Sequence, residues 1–263
     1  MGKYEAFALR EGMNADFTLT VSDLSYMYPN GVRALSSVNL RIDVGEKVAF
    51  IGPNGSGKST LLLILSGLLE DGIRSGTVRR DLCGEEDTSG LRDALRTAFL
   101  FQNPDDQIIG TTVEDDVGFA LFRAGIRPEE ARPLIADVLG KVHLEGHEGR
   151  SPLEMSFGEK KRMCLAGCLA GRPEMLFLDE PALGLDPRET GQLLKILKET
   201  PTTMLLSSMD FRLVAELADR VVMLDRGKIV AHGAVMDILS DRSLMKEHGL
   251  SISFGEIELS ASR

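Results

Sequence analysis

The run Gly52-Pro53-Asn54-Gly55-Ser56-Gly57-Lys58-Ser59-Thr60 sets three glycines, one lysine and adjacent hydroxyls between two apolar stretches, Val48–Ile51 and Leu61–Leu65. Strand, glycine-rich turn and helix in that order are what a phosphate cradle requires. Gly52, Gly55 and Gly57 let the backbone turn tightly and aim its N–H groups inward, where a β-carbon would obstruct a phosphate. A helix opening near Lys58 adds its own N–H groups and the positive end of its dipole. Lys58 brings a mobile charge for β- and γ-phosphates, and the Ser59 hydroxyl can ligate Mg²⁺. The full match in this context favours a nucleoside triphosphate site over an ordinary Gly-rich βα turn.

A second chemical group stands far downstream. Met175–Leu178 is an apolar strand candidate ending in Asp179-Glu180. At the C-terminal end of a strand, Asp179 can hold Mg²⁺, directly or through water, and Glu180 can orient or deprotonate a water attacking the γ-phosphate. Adjacent acids also occur in solvated turns; downstream of a P-loop the pair becomes a Walker B arrangement.

The elements that must position these groups are legible as periodicity. Thr18–Ser22 and Val38–Val44 alternate apolar and polar, as half-buried strands do, the second ending at the turn Gly45-Glu46. Short strands and loops are expected around Thr77-Val78-Arg79 within residues 71–90, and a compact strand over Thr97–Phe101. Between Val113 and Ala170 the apolar spacing turns helical, with Pro128 opening the second helix, where its missing N–H costs nothing. Strands at Met175–Leu178, Thr203–Leu206 and Val221–Leu224 then alternate with helices after Pro187 and through Leu217, the pattern of a parallel α/β sheet. From Ser240 onward the pattern is weak.

Composition narrows the partners. The 263 residues suit one large α/β domain or two small ones, and 30 Lys plus Arg against 40 Asp plus Glu give a net charge of -10. Such acidity argues against nucleic acid, whose phosphates need clustered cations. The pair Arg79-Arg80 and the run Lys160-Lys161-Arg162 are too short to reverse it and are expected to form solvated faces. No apolar run reaches bilayer length, and Met1–Phe17 has no apolar core of a signal peptide, so a cytosolic protein is expected unless a partner holds it at a membrane. Cys83, Cys164 and Cys168 fit a reducing compartment. Neither the Cys164/Cys168 pair nor His143/His147 forms a full ligand set, so packing and solvent exposure are expected there rather than metal.

Between the two nucleotide motifs stands Met155-Ser156-Phe157-Gly158-Glu159-Lys160-Lys161-Arg162, ahead of a helix. Here the chain resembles the ATP-binding-cassette (ABC) ATPases, whose signature reads LSGGQ or LSGGE, and the resemblance runs from about Phe17 to about Gly233. It implies a P-loop NTPase α/β fold: a RecA-like core with a mostly parallel sheet, an N-terminal antiparallel β subdomain and a helical signature subdomain. The implied ATPase domain spans 16–235, with the helical subdomain inserted at about 112–172, an extension at 1–15 and a tail at 236–263. Tyr28 then matches the aromatic residue that stacks on adenine. Gln102 matches the Q-loop glutamine, which can contact Mg²⁺ or the attacking water and senses a membrane partner. Gly184-Leu185-Asp186 matches the D-loop, and Ser156 and Gly158 resemble the groups that touch the γ-phosphate held by an opposing subunit.

Phe101-Gln102-Asn103-Pro104-Asp105-Asp106-Gln107, Thr112–Val117 and Glu247-His248-Gly249-Leu250 are similar to stretches of the energy-coupling-factor ATPases, which serve cobalt, nickel and vitamin uptake. That likeness implies ATP and Mg²⁺ as ligands and a dimer of ATPase subunits, identical or different. It also implies an integral membrane coupling protein, a substrate-binding membrane subunit, and a place on the cytoplasmic face of the membrane. Ile108 and Ile109 could dock there or fold into the local core. A soluble ABC protein with a regulatory role, or one acting on DNA or the translation machinery, is the alternative.

Three positions depart from the pattern. Ser207-Ser208-Met209-Asp210 puts Met209 where the family carries its switch histidine, and a thioether has no donor. Phe157 replaces the first signature glycine and Met155 its leucine, which requires the Phe157 ring to point aside and pack. Ala182 stands where many relatives carry Thr. The nucleotide site on this chain's P-loop is therefore expected to bind ATP and to hydrolyse it slowly.

Overall fold

The computed structural model describes residues 17–82 and 96–250. The expected extension at 1–15, Cys83 and the end of the tail at 251–263 lie outside them. In chain order, β1 (Phe17–Met27), β2 (Arg33–Ile42) and β3 (Lys47–Ile51) lead through the glycine-rich turn to α1 (Lys58–Ser66). β4 (Ile73–Leu82), β5 (Thr97–Leu100), α2 (Val113–Arg123), α3 (Pro128–Lys141) and α4 (Phe157–Ala170) follow. The chain then runs β6 (Met175–Asp179), α5 (Pro187–Glu199), β7 (Thr203–Ser207) and α6 (Phe211–Leu217). It closes with β8 (Arg220–Asp225), β9 (Lys228–Ala234), α7 (Val235–Ser240) and α8 (Arg242–Glu247).

Two compact units divide these elements. One holds residues 17–82, Phe177–Ala182 and the described chain from Pro201. Its strands run in the order β6-β7-β3-β8-β9, with β3 parallel to both β7 and β8 and an antiparallel β8–β9 hairpin. Val48–Ile51, Met204–Leu206 and Val221–Leu224 have no exposed surface, which explains why these strands are continuously apolar rather than alternating. Each of these side chains except that of Ala49 contributes about 1.5–3 kcal/mol of burial energy. A separate antiparallel sheet, β2-β1-β4, carries the alternating sequences, with Leu19, Val21, Leu24, Val38 and Ile42 turned inward.

The other unit holds the described residues 96–176 and Leu183–Thr200. Its helices α2, α3 and α4 pack on one another through Val117, Leu121, Ile135, Leu139 and Leu165, all buried. Pro128 occupies the first turn of α3, as its position in the sequence predicts. β5 and α5 belong to the same unit.

The parallel α/β core, the antiparallel strands and the helical segment expected from the sequence are present. One expectation is overturned: the run Lys160-Lys161-Arg162 is no solvated face. Lys161 is 1% exposed, and Lys160 and Arg162 keep 17% and 14% of their side-chain surface. The first turns of α4 lie against residues 101–107 and α5, so Lys160 pairs with Asp105 (2.7 Å), Arg162 with Glu189 (3.5 Å), and the Lys161 ammonium donates to the Phe101 and Gln102 carbonyls.

Candidate nucleotide site

β3 ends where the chain must reverse into α1, and two glycines make that possible. Gly52 has φ 144°, and a β-carbon on it would come within 2.0 Å of the Leu224 carbonyl oxygen. Gly57 caps α1 at φ 105°, with the Ala34 carbonyl oxygen 2.6 Å from where its β-carbon would lie. Any other residue would push the loop off the β8–β9 hairpin and β2. The Gly227 N–H also donates to the Ser56 carbonyl (2.9 Å), fastening the hairpin to the loop. Asn54 and Gly55 form the exposed crest, and the Ser56 hydroxyl is buried with no hydrogen-bond partner among the described residues.

Lys58 folds back over its own loop. Its ammonium donates to the Gly52 carbonyl (2.7 Å) and the Pro53 carbonyl (3.1 Å), and the residue as a whole is 7% exposed. Burial pulls its pKa down, while the charges of Glu180 and Asp179 oppose that shift. A cation lodged in an N–H-rich loop beside two acids is suited to an anionic ligand.

Ser59 and Asp179 are 120 positions apart in sequence and meet here, with Ser59 Oγ donating to Asp179 Oδ1 at 3.0 Å. A hydroxyl and a carboxylate converging this closely are hard oxygen donors of the kind Mg²⁺ selects. The fit rests on those atoms. Glu180 follows at φ 45°, an uncommon conformation for a residue with a side chain. It is held by its N–H, which donates to Ser207, and by its carboxylate, which accepts the Met209 N–H at 3.1 Å. Met209 is 38% exposed. On the other flank, the hydroxyls of Tyr28 and Thr60 are hydrogen-bonded (2.9 Å), and Tyr28 meets Tyr26 edge to face at 5.0 Å between centroids.

The structure thus brings together Tyr28, the loop from Gly52 to Thr60, Asp179 and Glu180. Gln102, Ser156 and Gly158 belong to the other unit. Gln102 is exposed, its carbonyl bound by Lys161 at 2.5 Å. Ser156 caps α4 in a capping box: its hydroxyl accepts the Glu159 N–H (3.2 Å), and the Glu159 carboxylate accepts the Ser156 N–H (2.7 Å). These bonds, with Arg150, hold the Glu159 carboxyl down at about 2. Gly158 has the Glu189 carboxylate against it, 1.9 Å from where a β-carbon would sit. The Phe157 ring lies over Gly184, 2.7 Å from the corresponding point there, while the residue stays 39% exposed, so it packs on one side only. Cys164 and Cys168 are buried, their thiols directed at the Pro104 and Phe99 carbonyls, and burial drives both pKa values up.

Two groups escaped the sequence reading. Lys161 was hidden in a charge run, and the only local cue was its helical spacing to Cys164 and Cys168. Ser207 was hidden as an ordinary residue, although a polar side chain that follows the apolar run Met204–Leu206 into the interior must find a buried partner.

Comparison with known proteins agrees with this geometry. A family model described as ABC transporter matches residues 35–183. The energy-coupling factor transporter ATP-binding protein EcfA of Methanothermobacter thermautotrophicus is 37% identical over 237 residues, covering 89% of this chain and 76% of its own length. EcfA of Methanococcus maripaludis is 38% identical, over 89% and 85%. Among solved structures, CbiO1 from Clostridium perfringens, described as part of the ABC transporter complex CbiONQ, superposes with a TM-score of 0.73. It is 28% identical and covers 93% of this chain and 99% of its own. An ATP-binding cassette solved as a dimer with ADP and Pi gives 0.72 at 25% identity, over 82% and 98%. The chain belongs to the ABC transporter family and is one of its ATP-hydrolysing subunits. The resemblance drawn from its motifs is borne out.

Proposed function

We propose that this chain energises an energy-coupling-factor type membrane uptake transporter for a metal ion such as cobalt or nickel, or for a vitamin. The observation that carries the proposal is the convergence of Lys58, Ser59, Asp179 and Glu180 on one loop, in a chain similar over 89% of its length to proteins named EcfA. Tyr28 stacks on the adenine, the loop N–H groups and Lys58 bind the phosphates, and Ser59 and Asp179 would hold Mg²⁺. When bound, the ion neutralises charge on the β- and γ-phosphates. Glu180 orients the attacking water and takes up its proton. Ser156 and Gly158 serve the nucleotide of an opposing ATPase subunit, identical or different.

No helix among the described residues is long and apolar enough to cross a membrane. The chain works as a peripheral subunit on the cytoplasmic face, held by an integral membrane coupling protein that also contacts a substrate-binding membrane subunit. Nucleic acid has no part in this. One observation, Met209 at the switch position, favours a second reading: a slow or non-hydrolysing ABC protein in which ATP gates a regulatory contact. Purifying the tagged chain from detergent-extracted membranes separates these. Recovery in stoichiometric complex with a polytopic membrane protein and a second ATPase subunit, with Mg-ATPase activity, is expected. Recovery with ribosomes or DNA and no membrane protein would contradict the proposal.

A further inference from the structure

β7 is apolar from Met204 to Leu206 and ends in Ser207, which has no exposed surface. A hydroxyl in such a place must satisfy both its proton and its oxygen inside the protein. The proton goes to Asp179 Oδ1, at 2.5 Å, and the oxygen accepts the Glu180 N–H at 3.1 Å. One side chain therefore touches both acids of the hydrolytic centre, gripping one by its carboxylate and the other by its backbone.

The two contacts do different things. Asp179 Oδ1 receives two hydroxyl protons, one from Ser59 and one from Ser207. Ser59 belongs to the phosphate loop, and a metal ion would take its oxygen as a ligand. Ser207 has no such second task, because its oxygen is engaged by Glu180. It remains to fix the Asp179 carboxylate when Ser59 turns to the metal. The Glu180 backbone is held at φ 45°, a conformation unfavourable for a side-chain-bearing residue that persists only where neighbours enforce it. The N–H that enforces it is shared between the Ser207 hydroxyl and the Ser207 carbonyl, each at 3.1 Å.

We propose that Ser207 is a positioning residue for hydrolysis, setting the Asp179 carboxylate for Mg²⁺ and the Glu180 backbone for water activation. The role rests on the Mg-ATP site proposed above. It fits a turn in which the Met209 side chain supplies no donor, while Glu180 donates its N–H to the Ser207 hydroxyl and accepts the Met209 N–H. Removing a residue that orients a metal ligand commonly lowers metal affinity or activity by about 10–100-fold.

The test compares wild type, Ser207→Ala and Ser207→Thr, using a fluorescent ATP analogue in EDTA and in Mg²⁺, Mg²⁺ titrations of ATPase rate, and thermal unfolding. Wild type should bind the analogue more tightly with Mg²⁺ than in EDTA. Ser207→Ala should match wild type in EDTA, lose most of the Mg²⁺-dependent gain, need about tenfold more Mg²⁺ and turn over about tenfold more slowly. Ser207→Thr keeps the hydroxyl and should restore both. The Ala variant retains the Glu180 N–H bond to the residue-207 carbonyl and should stay folded. If its Mg²⁺ curve superimposes on that of wild type, or the Thr variant behaves as Ala at equal thermal stability, Ser207 has no positioning role. Equal losses in EDTA and Mg²⁺ would make the residue merely structural. Wild type showing no Mg²⁺-dependent gain would instead overturn the metal site itself.

Discussion

At Met209 the turn after β7 meets Glu180 through a backbone N–H, at 3.1 Å, and not through a side-chain donor. Hydrolysis needs donors aimed at charge that develops as the γ-phosphate leaves, and one such donor is worth about 3 kcal/mol, roughly a hundredfold in rate. Met209→His should therefore raise turnover of the purified chain by tenfold or more, as read by phosphate release, with ATP affinity unchanged. A brisk wild-type rate left unaltered by the substitution would show that another group fills the role. Glu180→Gln should lower turnover by roughly 100-fold or more while the variant still binds ATP in equilibrium titration. Lys58, Ser59, Asp179 and Glu180 were legible because each lies in a short contiguous motif whose context, strand then turn, is itself written in neighbouring residues. Ser207 was not, because its partner Asp179 is 28 positions away, and a polar residue closing an apolar run does not say which buried group it will meet.

At the scale of elements, the N-terminus of α4 is knit to α5 through Glu189, whose carboxylate accepts the Asp186 N–H, pairs with Arg162 and lies against Gly158. Gly158→Ala would put a methyl into that carboxylate, and we expect about 1–2 kcal/mol of destabilisation in thermal unfolding from displacing it. The box at the start of the same helix has a pH signature. The Glu159 carboxyl falls from an ordinary 4.5 to about 2 on folding, so the folded state binds fewer protons between those values. Its stabilisation is present above pH 4.5 and is lost as pH falls towards 2. The difference in melting temperature between wild type and Glu159→Gln should thus be largest near neutrality and shrink across that window. Element types were largely readable from periodicity, but extents were less so. β1 reaches from Phe17 to Met27, not from Thr18 to Ser22, because a bulge at Asp23, φ 50°, shifts the register between Val21 and Leu24 and breaks the alternation. α7 and α8, six residues each, are too short to show a period. The buried charges of α4 could not be foreseen, since sequence does not show which face of a helix another segment covers.

At the scale of the molecule, the net charge is -10 and no helix among the described residues is long and apolar enough to cross a membrane. Ile109 is 61% exposed rather than folded into the core, and its N–H and that of Gly110 donate to Asp116 Oδ2 at 2.8 and 2.9 Å, so the loop presents the side chain on a fixed backbone. Ile109→Asp should leave ATP affinity intact and weaken both assembly with the membrane partner and uptake; unchanged assembly and uptake would remove Ile109 from the docking surface. Transport is proposed to be driven by ATP at the Lys58 loop. The most direct test of this takes the membrane complex purified through this chain, placed in vesicles with Mg-ATP on the cytoplasmic side, and measures uptake of labelled cobalt, nickel and vitamins for wild type, Lys58→Ala and Glu180→Gln. The prediction is ATP-dependent uptake by wild type of one of these solutes, and none by either variant, although Glu180→Gln still binds ATP. Uptake that persists in both variants, or a wild-type complex that moves none of them, would contradict it.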